Sequence, residues 1–432
     1  MEKKATSQVF GVTAKVLPDS YVERVSLDKE VSKLLTQNAV HLAVRGPSKS
    51  GKSWLRRKVM GDPIVVQCVF ETTLVDIYTQ ALSKLDVKLT VESVGKESLK
   101  GTVKASSGIG AKLIAYLSGE VSLESGSAAE TKYKEVGRDI GDLAFVAGLI
   151  NASGRRLVIE DYHYLAGPVR KALSGHLKAL WDLECNVVII GVWTSDSYLT
   201  TLNPDLEDRL AEIPAEWTPT ELGEILEKGG KALNVKFLPP LLDLIVENSF
   251  ENAGLLQTLT RKILDRLGIE ESQETLLILD DPDLLNVAAA EHAKELEGRF
   301  QAFARSVSTG MRTRKESTGI YAHAMDVILQ ADDDKLRTGI SLKEIYDAAS
   351  AKQPRIKHGN LRRILEKIDH LQVDDEGRGL VITYNSATER VTVVDRRLLL
   401  YRRFASPTWP WAELISNLGD DEEVYQGGDD AT

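Results

Sequence analysis

An α/β fold built on a parallel sheet, with a helical region and a basic C-terminal module behind it, is predicted by three observations. Short, nearly continuous apolar runs alternate with amphipathic helical stretches over the first half of the chain. A loop rich in glycine, serine and lysine joins one of those runs to a helix. From Thr218 onward the apolar period becomes helical, until two strand-like runs appear near the end.

The strand candidates are "VHLAVRG" (40–46), "PIVVQCV" (63–69), "RLVIED" (156–161), "NVVIIGVW" (186–193) and "LAEIP" (210–214). Runs without polar alternation belong to strands covered on both faces. Helices are expected between them, for example over 73–85 and 168–183. Residues 94–134, rich in Gly, Ser and Lys, interrupt this rhythm and read as a hairpin-like or mobile excursion between the second and third strands. In "TPTELGEILEKGG", Thr218 is placed to cap a helix, with Pro219 in its first turn and Glu221 completing a capping box. Gly229 and Gly230 are expected to stop that helix. Further helices are expected over 239–248, 252–267 and 284–305.

Composition bounds the class. The chain has 432 residues, 43% hydrophobic and 27% charged, enough for several domains with sizeable cores. No apolar run approaches the roughly 18 residues of a membrane span, and the start lacks an apolar core of signal-peptide length, so a cytoplasmic protein is expected. Two cysteines, Cys68 and Cys185, border apolar runs and read as buried free thiols. Two cysteines and seven scattered histidines leave no structural zinc site. The formal charge is −10, yet residues 352–403 carry twelve Lys/Arg against seven Asp/Glu, a local +5 that leaves −15 for the remainder.

The loop "GPSKSGKS", residues Gly46, Pro47, Ser48, Lys49, Ser50, Gly51, Lys52 and Ser53, satisfies G-x-x-x-x-G-K-[ST] in full. Its glycines let backbone N–H groups approach phosphate oxygens, and the helix that begins at its end adds a partial positive charge. Lys52 is then the group for the β- and γ-phosphates, and the Ser53 hydroxyl a ligand for Mg²⁺. "RRLVIEDYHYL" ends an apolar strand on two acids: Glu160 suits the metal's water shell and Asp161 the attacking water. Relative to the more usual Asp–Glu order the pair is reversed, which suggests slow hydrolysis. Thr194 or Ser195, at the tip of the fourth strand, suits a hydrogen bond to the γ-phosphate or to water, or a solvated turn. Arg209 suits either a transition-state arginine offered to a neighbouring subunit or a local ion pair with Glu207 or Asp208. His163 is expected to pack beneath the acids.

The loop GPSKSGKS, the strands "LVIEDYHYL" and "VVIIGVWTS", the segment "DLEDRLAEI" and the helices that follow occur in one order. Together they resemble the AAA+/STAND branch of P-loop ATPases, including its Orc/Cdc6-like members, over about residues 21–268. The resemblance implies ATP and Mg²⁺ as ligands, a five-stranded sheet in the order 5-1-4-3-2, and a helical lid over the nucleotide. Leu255–Gln257 stand where many relatives carry a sensor arginine, and Arg261 lies one turn later.

Residues 320–404 run helix, helix, turn, helix and two strands, an order that resembles a winged helix. Ser341 and Glu344 form a capping box; Leu361, Ile364, Leu365 and Ile368 form the inner stripe of the third helix. Lys357, His358, Asn360, Arg362 and Arg363 stand toward the start of that helix, with Arg378 and Arg390 at the wing. They suit DNA contact, or docking on a protein or within this chain. The expected organisation is an ATPase core over 1–217, a lid over 218–270, a linker helix over 271–317, a winged helix over 318–405, and a tail over 406–432 with a disordered acidic end. The expected function is a cytoplasmic ATP switch acting on a partner or effector in another chain, with a homo-oligomer left open. The rival expectations are a DNA-binding regulator or transposition-type adaptor with structural ATP, and a scaffold that binds ATP and barely hydrolyses it.

Overall fold

The structure, a computed structural model, describes residues 3–94, 98–105, 109–110, 112–113, 133–134, 143–193, 198–309, 319–372, 380–386 and 388–416. The chain divides into two units. One comprises Glu23–Gly46 and Lys52–Ala215; the other comprises Met1–Val22, Pro47–Gly51 and Glu216–Thr432.

The first unit is the α/β body. Its strands are β1 (His41–Arg45), β2 (Ile64–Gln67), β3 (Val87–Val94), β4 (Ser98–Ala105), β5 (Tyr133–Lys134), β6 (Leu157–Glu160), β7 (Val188–Ile190) and β8 (Leu210–Pro214). Five of them form a parallel sheet in the order β2-β6-β7-β1-β8, which is 5-1-4-3-2 when the five are counted along the chain. Both faces are covered, and successive residues feed different cores. On β1, Ala43 joins one apolar cluster while Leu42 and Val44 join the other; on β6, Leu157 and Ile159 oppose Val158. Helices Leu74–Ser83, Leu143–Ala152 and Gly167–Asp182 cover the first face, and Val25–Gln37 with Lys52–Val59 the second. The excursion after β2 contains the antiparallel ladder β3-β4-β5, which begins at Val87, earlier than the composition suggests. Cys68 and Cys185 are buried free thiols, each pushed up to about 12 by desolvation.

The second unit is built on one long apolar core that runs from Val9 and Phe10 to Trp411. Helix Pro219–Leu233 opens on the expected capping box between Thr218 and Glu221. It does not stop at Gly229–Gly230 but continues to Leu233 and ends on the left-handed Asn234. The two glycines serve close packing instead. A Cβ on Gly229 would lie 2.2 Å from the ring of the buried Phe10, and one on Gly230 would lie 2.5 Å from the Val235 carbonyl.

β9 (Val235–Phe237) and β10 (Leu277–Leu279) form a parallel pair beside helices Leu241–Glu247 and Ala253–Arg266. The 27-residue helix Asp283–Thr309, suggested by sequence as a connector, buries Leu285, Ala289, Phe300, Phe303 and Val307 in the common core. The C-terminal module places helices Ile320–Gln330, Leu342–Lys352 and His358–Leu365 beside a sheet of β11 (Ile340–Ser341), β12 (Ile382–Asn385) and β13 (Arg390–Val393), in the order β11-β13-β12. A further helix, Arg397–Ala405, packs on the long helix, with the Phe300 and Tyr401 rings 5.1 Å apart. Beyond it Trp411 is wholly buried and stacks on Trp409 at 5.1 Å, and Leu414 and Ile415 pack on the same core, so the described residues after 405 still belong to it.

Among the described residues no helix is long and apolar enough to cross a membrane. The acidic end lies outside the described residues.

Candidate functional site

The loop Gly46–Ser53 leaves the buried strand β1 and enters helix Lys52–Val59, the strand–loop–helix setting that its sequence requires. Gly46 has φ 151° and Gly51 φ 82°, and Lys49 takes the left-handed φ of 61°. These angles turn successive peptide groups in a way that ordinary residues resist, as a cradle of backbone N–H donors demands.

The first unit supplies the ends of the loop and the acidic strand. Lys52 is buried, and its Nζ donates to the Gly46 carbonyl across the loop at 3.0 Å. Ser53 is exposed in the first turn of the helix. At the end of β6, Glu160 is 5% exposed and receives the Arg56 guanidinium at 3.1 Å. This pair sits where removal of either partner strands a buried charge. It uses one oxygen, Oε1, of a carboxylate that offers about four lone-pair sites.

Asp161 follows with a left-handed φ of 56° and accepts a hydrogen bond from the Gln67 amide. Burial first, and the Glu160 charge second, raise its pKa above the ordinary carboxylate range, while Lys52 opposes the shift. His163 accepts the Val192 N–H on Nδ1 at 3.3 Å, and burial lowers its pKa to about 3, so the ring is a neutral packing group. Arg209 lays its guanidinium 4.8 Å over the Trp181 ring and donates to the Asp205 carbonyl at 2.5 Å. Among the described residues it thus pairs with neither Glu207 nor Asp208. Thr194 and Ser195 lie outside the described residues.

Residues Pro47–Gly51 belong to the second unit and are held by neighbours within it. Trp217 Nε1 donates to the Ser50 carbonyl at 2.8 Å, Asn252 Nδ2 to the Ser48 carbonyl at 2.7 Å, and the Gly254 N–H to the Lys49 carbonyl at 3.1 Å. Three loop carbonyls are thus tied down, which keeps them from competing for the space that N–H groups must face. Gly254 has to be glycine: a Cβ there would stand 2.7 Å from Lys49 Cβ and 3.0 Å from its carbonyl. Asn252 also caps helix Ala253–Arg266 through Oδ1 to the Leu255 N–H at 2.9 Å.

A fourth contact comes from the C-terminal module, where the Val394 carbonyl accepts the Ser48 N–H at 3.4 Å. None of these four partners is among the residues singled out by sequence. "ENAGLL" carries a visible cap signal, whereas nothing local to Trp217 or Val394 points to the loop. Arg261, the candidate sensor, is paired with Asp265 at 2.6 Å.

At the outer face of the C-terminal module, Lys357, His358, Asn360, Arg362, Arg363 and Arg390 are exposed. Arg362 is held at 3.2 Å from both Glu366 and Glu389, and Arg390 donates to the Gly339 carbonyl. Arg378 lies outside the described residues.

The residues present fit a nucleoside triphosphate and its metal. The loop has the backbone angles and the buried lysine of a phosphate cradle, and Ser53 and Glu160 supply the hydroxyl and carboxylate. Among the described residues no group of three or more His, Cys, Asp and Glu is placed to hold a metal, and Mg²⁺ beside phosphates needs only one or two protein ligands.

No protein-family model matches the chain, and no curated protein matches it in sequence. Among solved structures it is similar to a Walker-type ATPase of Pyrococcus abyssi, with 13% identity, a TM-score of 0.51, and coverage of 89% of this chain and 97% of that one. It also aligns with the Orc1 protein of Aeropyrum pernix in complex with DNA, at 13% identity and a TM-score of 0.39 over 94% of this chain and 98% of that one. A STAND protein of Pyrococcus horikoshii with a tetratricopeptide repeat sensor aligns at 14% identity and a TM-score of 0.37, over 91% of this chain and 43% of that one. At these identities the first likeness speaks for the fold alone: a five-stranded parallel sheet with the phosphate-loop topology.

Proposed function

We propose that this chain is an ATP-binding switch of the AAA+/STAND type that hydrolyses its nucleotide slowly and passes its nucleotide state to a partner through a C-terminal winged helix. The observation that carries the reading is the loop Gly46–Ser53: a complete phosphate-loop motif between a buried strand and a helix, with its glycines in positive φ and Lys52 turned across it.

Gly46 to Ser53 bind the phosphates through backbone N–H groups and the Lys52 ammonium. Ser53 and Glu160 would hold Mg²⁺, which would draw charge from the phosphate oxygens. Asp161 accepts a proton from the attacking water, and burial and the Glu160 charge make it a stronger base than an ordinary aspartate. Its side chain is one methylene shorter than the usual glutamate, which supports slow turnover. Arg209, folded onto Trp181 within its own chain, would complete a neighbour's site only after leaving that ring.

Docking on protein is favoured over DNA for the C-terminal module, because Arg362 is already shared between two carboxylates. DNA binding, as in a regulator or adaptor with structural ATP, predicts instead a salt-sensitive gel shift that disappears in an Arg362→Ala/Arg363→Ala double variant.

The direct test is calorimetry. Lys52→Ala should lower affinity for Mg–ATP at least a hundredfold while the far-ultraviolet spectrum is unchanged; equal affinity in the variant would remove the phosphate-loop assignment.

A further inference from the structure

Beside the middle of the phosphate loop, the corner between β13 and helix Arg397–Ala405 carries a concentrated charge cluster. Asp395 is 2% exposed and is gripped twice: Arg397 donates Nε to Oδ1 at 2.8 Å and Nη2 to Oδ2 at 2.6 Å, and Arg299 of the long helix reaches Oδ2 at 2.9 Å. The residue before Asp395 is Val394, whose carbonyl takes the Ser48 N–H. Lys49, although solvent-exposed as a residue, has an amine whose pKa is lowered by partial burial and then by Arg397 and Arg299, against Asp395.

Two guanidinium groups therefore hold a single carboxylate, with the Lys49 ammonium in electrostatic range of all three, a net charge of about +2 beside the middle of a phosphate-binding loop. Arginine binds phosphate in the same forked geometry that it uses for carboxylate. The Ser48–Val394 contact, at 3.4 Å, is longer than an ordinary amide bond of about 2.9 Å and is a weak competitor for that N–H.

We propose that Arg299 and Arg397 discriminate triphosphate from diphosphate at this site, with Asp395 standing where the terminal phosphate competes for the two guanidinium groups. A nucleoside triphosphate draws Arg397 and Arg299 off Asp395 and takes the Ser48 N–H from Val394. A diphosphate lacks the group to do so. The corner Val394–Arg397 is then released only in the triphosphate state.

This corner also reports onward. Arg396, next in the chain and 5% exposed, donates to the Phe250 carbonyl at 2.8 Å and the Glu251 carbonyl at 3.1 Å. Phe250 and Glu251 hold left-handed φ values of 49° and 55°, a costly pair of conformations for non-glycine residues. They lead directly into Asn252 and Gly254, the residues that hold Ser48 and Lys49. A ligand shifts such an equilibrium only by its differential affinity for the two states, and the guanidinium exchange supplies that difference.

The inference rests on the nucleotide reading above, and one titration separates the two. The full chain is titrated with Mg–AMP-PNP and with Mg–ADP by calorimetry, as wild type and as Lys52→Ala, Arg397→Gln, Arg299→Lys and Asp395→Asn. The expected result is that Arg397→Gln weakens AMP-PNP at least tenfold and ADP less than twofold, with Arg299→Lys acting in the same direction more mildly. Asp395→Asn, by removing the competing carboxylate, should tighten AMP-PNP severalfold and leave ADP unchanged, a sign that damage to the fold would not produce. Equal losses for both nucleotides in the arginine variants, or weaker AMP-PNP binding in Asp395→Asn, would overturn the discrimination while wild-type binding kept the nucleotide reading intact. A wild type that binds neither nucleotide would overturn both.

Discussion

Both ring nitrogens of His41 are committed inside the first unit: Nε2 donates to the Leu177 carbonyl at 2.7 Å and Nδ1 accepts the Val187 N–H at 2.9 Å. The ring is fully buried, and desolvation lowers its pKa from 6.5 to about 4. The unfolded chain therefore takes up a proton as the pH falls through about 6.5, and the folded chain does so only near 4. Stability from this group is complete above pH 6.5 and is lost between 6.5 and 4, on the order of 3 kcal/mol in all. Urea midpoints at pH 7 and pH 4.5 should differ accordingly, and His41→Gln should flatten the difference; an unchanged slope in the variant would mean that another group sets it.

Glycines divide at the same scale. Gly46 and Gly51 are legible because the motif spells out their spacing. Gly254 and Gly229 are not, because what they touch, Lys49 and Phe10, lies more than 200 residues away in sequence. Gly254→Ala should cost about 1–3 kcal/mol in urea unfolding, as overpacking does, and weaken ATP binding as well.

Among elements, those whose signals are local are read well. The capping boxes Thr218/Glu221 and Ser341/Glu344 open the helices that they announce, and helix Ile320–Gln330 begins where the run from residue 320 is expected to open. Elements governed by distant packing are read less well. Helix Pro219–Leu233 passes its two glycines because tertiary contacts outweigh their roughly 1 kcal/mol helix penalty. The stretch expected as one reading helix is two, His358–Leu365 and Ile368–Gln372.

Asn252 joins two elements, as cap of helix Ala253–Arg266 and as donor to the Ser48 carbonyl. Asn252→Ala should lower stability by about 1–2 kcal/mol, in the range of a lost cap. It should also reduce ATP affinity. Asn252→Ser, which restores the cap without the reach to Ser48, should recover stability and not affinity; recovery of both would show that the cap alone matters.

For the molecule as a whole, the second unit is held by one core that takes in the N-terminal Val9 and Phe10, helices Pro219–Leu233 and Ala253–Arg266, the long helix and the C-terminal module as far as Trp411. Trp411→Ala should cost about 3–5 kcal/mol by cavity formation. It should lower the thermal midpoint of the full chain, although the residue falls in a stretch that composition marks as a tail. A midpoint within one degree of wild type would place Trp411 outside the cooperative core.

By itself the sequence determined the parallel sheet, its strand positions, the phosphate loop and the acidic strand end, because each depends on residues within about ten positions of one another: apolar runs, a motif, a cap. Only the tertiary structure decided that Glu160 is paired with Arg56, that Trp217, Asn252 and Gly254 hold the loop's carbonyls, and that Arg299 and Arg397 converge on Asp395. Those contacts join residues about 100 or more apart in most cases. Their formation depends on how buried apolar surfaces stack, and no local pattern records that.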